Sequence, residues 1–132
     1  AFFSLDKNNG VINWKQDVNS YFTPIISNNL IFTVNNEGYL FIVDKRNGNI
    51  ARINDLFKNL SKRKRSKIKI SGFVLSNNAI YLSLNNGKIL EANISDGKQS
   101  SILNVGGNQL SKPFINNKQL FIIKNNEIVK IY

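Results

Sequence analysis

An internal repeat runs the length of this chain, and a unit copied at fixed spacing dictates an architecture before any single element is considered. Three stretches share one plan: an Asn-rich turn, an alternating apolar run, a second turn and a second apolar run. They read SNNLIFTVNNEGYLFIVDKRNG over 27–48, SNNAIYLSLNNGKILEANISDG over 76–97, and INNKQLFIIKNNEIVKIY over 115–132. Ahead of them, FFSLDKNNG over 2–10 matches the tail half of the same unit. Phe32, Tyr81 and Phe121 share one slot; so do Asp6, Asp44 and Asn93, with Gly10, Gly48 and Gly97 four residues behind them. Asp6 to Asp44 spans 38 residues and Tyr81 to Phe121 spans 40, whereas Phe32 to Tyr81 and Asp44 to Asn93 both span 49. One insertion, between about Asn54 and Lys67, accounts for both long intervals.

Each unit reads as consecutive antiparallel strands. Leu30–Val34 and Ala79–Leu84 are rich in β-branched and aromatic residues, which pack well on a pleated surface. Asn-Asn-Glu-Gly at 35–38 and Asn-Asn-Gly at 85–87 are expected to supply the positive φ values that tight hairpins require. The next strands, Tyr39–Val43 and Lys88–Ile94, end at an Asp/Asn-x-x-x-Gly turn, and a fourth strand follows over Asn49–Ile53 or Gln99–Val105. Pro24 and Pro113 fall just inside the first strand of their units, where a missing N–H is tolerated. A 3.6-residue period is suggested only over Asn54–Ser61.

Four strands per unit at roughly 40-residue spacing is the pattern of β-propeller blades, and a closed ring needs about four to eight of them. The fold expected is therefore all-β, a partial propeller of four-stranded antiparallel blades, two complete and two incomplete. Residues 1–17 end one blade, 22–54 form the next, 68–105 form another after the insertion at 55–67, and 112–132 begin the last. A chain with these contents is expected to be part of a larger ring, or to self-associate through its open blade edges. It contains no Met, so its natural start is expected to be processed or missing.

Composition narrows the chemistry. With no Cys and no His among 132 residues, disulfides, thiol nucleophiles, Cys/His zinc sites and His-based triads are excluded within this chain. Eight carboxylates are thin material for acid–base catalysis. No apolar run approaches the roughly 18–20 residues of a membrane-spanning helix. The net charge of +10 raises nucleic acid and anionic membranes as partners, but an Asn-, Lys- and Ile-rich chain also acquires charge through AT-rich coding.

Pro24, Ile26, Ile31, Phe32, Gly38, Leu40, Asp44 and Gly48 together resemble the quinoprotein (PQQ-like) propeller repeat. That family often places a Trp four residues beyond the closing Gly, which Gly10–Trp14 matches and Arg52 and Ser101 do not. The resemblance implies one of two activities. In one branch the propeller holds pyrroloquinoline quinone and calcium as a dehydrogenase. In the other it has lost the cofactor and acts as a scaffold in outer-membrane β-barrel assembly, lipid-anchored at the periplasmic face of the membrane. The dehydrogenases commonly carry a vicinal Cys pair that is absent here, so the expectation is a non-catalytic scaffold with no cofactor and no metal. Its implied partners are barrel-assembly subunits or unfolded outer-membrane proteins.

Asp6, Asp44 and Asp96 are the only acids whose recurrence invites a calcium reading, yet their repeat-locked positions fit turns closed by side-chain-to-backbone hydrogen bonds. Trp14 is expected to wedge between blades rather than stack on a ligand. The insertion differs in kind. Lys58, Lys62, Arg63, Lys64, Arg65, Lys67 and Lys69 fall within twelve residues that hold no acid. Such a run is expected to be an exposed loop that contacts an acidic partner surface or anionic lipid. Nucleic acid is not expected, because no aromatic is interleaved with these cations and Phe57 is the only one nearby.

Overall fold

The computed structural model describes residues 1–107 and 109–131, so that Tyr132, the end of the last repeat, lies outside the described residues. In chain order the elements are β1 (Phe2–Leu5), β2 (Ile12–Gln16), β3 (Ile25–Ser27), β4 (Leu30–Val34), β5 (Tyr39–Asp44) and β6 (Ile50–Asp55). There follow α1 (Lys62–Arg65), β7 (Ile70–Ser76), β8 (Ala79–Leu84), β9 (Lys88–Asn93), β10 (Gln99–Asn104), β11 (Phe114–Asn116), β12 (Gln119–Lys124) and β13 (Glu127–Lys130). Every sheet is an antiparallel meander: β1-β2, β3-β4-β5-β6, β7-β8-β9-β10 and β11-β12-β13. The chain divides into two compact units, Ala1–Asp55 and Leu56–Tyr132.

In the first unit, β4 departs from half-buried alternation: Ile31, Phe32, Thr33 and Val34 are all buried. A strand covered on both faces must be apolar throughout, or satisfy its hydroxyls internally. Thr33 does so by donating to Ser20 Oγ at 2.9 Å, and Ser20 Oγ donates onward to the Val34 carbonyl at 2.7 Å.

The second unit repeats the solution. Ser83, wholly buried in β8, donates to the Ser111 carbonyl at 2.6 Å, tying the β7–β10 sheet to the segment leading into β11. Between these two sheets Ile89, Leu110 and Ile122 form a dry cluster, with Tyr81, Leu103 and Val129 packed around it.

The turns meet one sequence expectation, and the structure corrects two others. Positive φ in the 35–38 and 85–87 hairpins is taken by Gly38 and Gly87 alone, while Asn28, Asn77, Asn117 and Lys118 adopt it in the preceding turns. Among the described residues, only the last hairpin uses asparagine pairwise, at Asn125 and Asn126, both with positive φ. Pro24 and Pro113 lie one residue before β3 and β11 rather than inside them, at positions that need no ladder donor. The second correction concerns Asn54–Ser61, which is not helical. Asn54 and Asp55 extend β6, Leu56 and Phe57 turn inward to nearly complete burial, and α1 is the only helix among the described residues. The apolar spacing there serves burial of two adjacent side chains and not a helix face.

Candidate functional site

The repeat-locked acids serve the backbone. Asp6 Oδ1 accepts from Asn8 N at 2.8 Å, Asp44 Oδ1 from Arg46 N at 2.8 Å, and Asn93 Oδ1 from Ser95 N at 2.7 Å. Asn9, Asn47 and Asp96 repeat the device three residues later, accepting from Val11 N, Asn49 N and Lys98 N. Gly10, Gly48 and Gly97 then close each turn by donating to the carbonyl of the leading Asp or Asn. These carboxylates belong to separate turns, and among the described residues no three acidic side chains converge as a calcium site requires. The donor set does not fit the calcium of a quinone-dependent centre.

Asp44 and its partner Arg46 are electrostatically distinctive: each holds the other in its charged form. Hydrogen bonds from the Arg46 side chain, then from its backbone N–H, hold the carboxyl at about 2, below its ordinary 3.8. The Arg46 guanidinium donates at 2.7 Å to Oδ2 and 3.1 Å to Oδ1. A folded-state value below the unfolded one gives a contribution present above about pH 4 and lost as pH falls toward 2. Carboxyl-detected NMR titration of Arg46→Ala is expected to show the Asp44 midpoint rising toward 3.8. A midpoint unmoved by that change would contradict the assignment.

Trp14 acts as a wedge within the first unit. From β2 its indole N–H donates to the Lys45 carbonyl at 3.0 Å, and Gln16 Nε2 donates to the Gly48 carbonyl at 2.9 Å. Gly48, with φ +74°, lies under the ring, so that a Cβ there would stand 2.5 Å from Trp14 Cε3.

The basic insertion is an ordered projection. Phe57, 1% exposed, anchors its start, and the Leu60 N–H donates to the Phe57 carbonyl at 2.9 Å. Ser61 caps α1, its hydroxyl accepting from Lys64 N at 3.4 Å. Such a cap, about 1 kcal/mol in general, offsets part of the repulsion among four consecutive cations. The Arg65 guanidinium stands 6.0 Å from the Phe57 ring centroid, placing a cation over the buried aromatic.

Asn85, in the turn between β8 and β9, holds the exit. Its amide oxygen accepts from Lys69 N at 2.9 Å, its amide nitrogen donates to the Lys67 carbonyl at 3.2 Å, and its backbone N–H donates to the Lys69 carbonyl at 2.9 Å. Clamped at both ends, the segment exposes Lys58, Lys62, Arg63, Lys64, Lys67 and Lys69, with Arg65 half-buried. The expected loop is therefore a capped helical turn between two fixed points. Sequence reading missed Asn85 because its spacing marks only a hairpin; its partners lie 16 and 18 residues away.

A family model described as "Outer membrane protein assembly factor BamB" matches residues 1–54. No curated protein matches the chain. Among solved structures, BamB from Moraxella catarrhalis aligns with 98% of this chain and 39% of its own, at TM-score 0.64 and 14% identity. The quinohemoprotein alcohol dehydrogenase ADHIIG from Pseudomonas putida HK5 aligns with 83% of this chain and 17% of its own, at TM-score 0.59 and 15% identity. The WD40 β-propeller domain of Doa1 aligns with 80% of this chain and 33% of its own, at TM-score 0.59 and 12% identity. The chain thus spans well under half of each of these proteins, and at such identities the likeness establishes fold. In its meander sheets this chain is a partial β-propeller, and in its repeat it is similar to the PQQ-like family that includes BamB.

Proposed function

We propose that this chain is part of a non-catalytic, BamB-like scaffold that serves outer-membrane β-barrel assembly at the periplasmic face of the outer membrane, tethered there by a lipid anchor elsewhere in the protein. The observation that carries this reading is the basic insertion, clamped by Phe57 and Asn85 so that its cations project from a fixed base. A preorganised cationic projection steers encounter with an acidic partner at little ordering cost on binding. Sheet-edge strands such as β13, where Ile128 is 69% exposed, offer backbone groups to unfolded client strands.

The test is association kinetics between this protein and purified barrel-assembly subunits. Charge reversal by Lys62→Glu, Arg63→Glu and Lys64→Glu is expected to slow association about tenfold at low ionic strength. That difference is expected to shrink as salt screens the pair. Association rates indifferent to both changes would refute the role of the segment. Stoichiometric capture of pyrroloquinoline quinone with calcium by the protein would overturn the non-catalytic reading.

A further inference from the structure

The insertion does more than project charge: it roofs a cavity of 380 Å³ on its own sheet. Leu60, Lys64 and Lys67 line it from the insertion, Ile68 from the residue just after it, and Leu84, Lys88, Leu90 and Ile102 from β8, β9 and β10. Register explains the sheet side. Ile102 pairs directly with Leu90 across β10 and β9, and Lys88 lies two residues from Leu90 on the same face. Leu84 and Leu90, 2% and 0% exposed, make the floor, whereas Ile102 at 41% stands at the rim. Apart from three lysines and Asn86, every lining residue is leucine or isoleucine, and no carboxylate is among them.

That combination selects a class of ligand. An apolar body gains by leaving water for the floor, at about 25 cal/mol per Å² buried. Lysine keeps its ammonium in water while its stem covers apolar surface, so Lys64, Lys67 and Lys88 border an apolar floor with cations. A neutral hydrocarbon would leave the ammonium groups unused, and a headgroup without a tail would leave the floor wet. The volume lies within the roughly 300–1,000 Å³ of small-molecule sites. We propose that this cavity binds a single-chain amphipathic anion, a hydrocarbon tail bearing one carboxylate or phosphate head, with the tail on Leu84 and Leu90 and the head among Lys64, Lys67 and Lys88.

The test is displacement of dansyl-undecanoic acid from the full chain, below micellar concentrations, by laurate, dodecyl phosphate and dodecanol. Laurate and dodecyl phosphate distinguish the two head chemistries, and displacement by either one supports the site. Both anions are expected to bind about tenfold more tightly than dodecanol, a difference of about 1.4 kcal/mol. Ile102→Asp places a carboxylate at the exposed rim and is expected to abolish binding with the circular dichroism spectrum unchanged. Should that variant fail to fold, Lys88→Glu carries the same expectation. Lys58→Glu with Arg63→Glu, both outside the cavity, is expected to leave binding intact.

Dodecanol binding as well as laurate would overturn the proposal, as would retention of laurate by Lys88→Glu. Equal loss on reversing Lys58 and Arg63 would reduce the effect to general charge. A leucine-rich peptide with a free C-terminus that displaced the probe better than laurate would reassign the site to a protein terminus.

Discussion

Alanine at position 48 is expected to destabilise the Ala1–Asp55 unit by about 2–4 kcal/mol, combining a left-handed backbone penalty with steric overlap. The overlap has one source, since the three atoms nearest the added Cβ all belong to the Trp14 ring, at 2.5–2.9 Å. Trp14→Ala removes that source. In its background the cost of Gly48→Ala is expected to fall to the backbone term, about 1–2 kcal/mol. Trp14→Ala alone is expected to cost less than the about 3–5 kcal/mol of a fully buried aromatic, because the indole is half-buried. Urea denaturation followed by circular dichroism, with hydrogen exchange at the Asp44–Asn49 turn, reads all four corners of the cycle. An equal penalty in both backgrounds would mean that Trp14 does not rest on Gly48, and the wedge between β2 and the β5–β6 turn would have to be abandoned.

The residues that make this wedge were legible in the sequence, and the reason is locality. Asp6, Asp44 and Asn93 each bond a backbone N–H two residues on, so the same chemistry reappears wherever the slot recurs. Gly48 carries two demands at once, a positive φ and an absent Cβ, and its four-residue lag behind Asp44 exposes the first. Strand positions were legible for a related reason: a blade strand covered on both faces reads as an apolar run with at most an internally bonded hydroxyl, as Ile31–Val34 does with Thr33. What stayed hidden depends on distant partners. Asn85 carries the same local signature as any hairpin asparagine, yet its amide is spent on Lys67 and Lys69.

The helical turn at Lys62–Arg65 was obscured by charge. Lysine and arginine are good helix formers and Ser61 is a good cap, but a run of like charges reads first as a solvated loop. The cavity has no local signature in the sequence. It joins Leu60 to Ile102 through a face that only the β9–β10 register assembles.

Phe57→Ala is expected to have the largest effect of any single change near the basic segment. At 1% exposure, removal of the ring is expected to cost about 3–5 kcal/mol, the range for truncating a buried aromatic. The loss falls on the residue from which the segment starts. The ring lies beneath Arg65, and it holds the start of the segment whose Leu60 and Lys64 wall the cavity, while the backbone bond from Leu60 N to the residue 57 carbonyl is kept in the variant. With the ring gone, this end is held by Leu56 and the backbone alone, the segment leans on its clamp at Asn85, and its cations sample more positions. Two readouts follow from one substitution: lower stability by urea denaturation, and laurate affinity reduced about tenfold or more at temperatures where the chain remains folded. Phe57→Leu, which preserves apolar burial but removes the aromatic face offered to Arg65, is expected to recover most of the stability. If Phe57→Ala lowered stability but left laurate affinity untouched, the roof would not depend on this anchor, and the segment would owe its position to Asn85 alone.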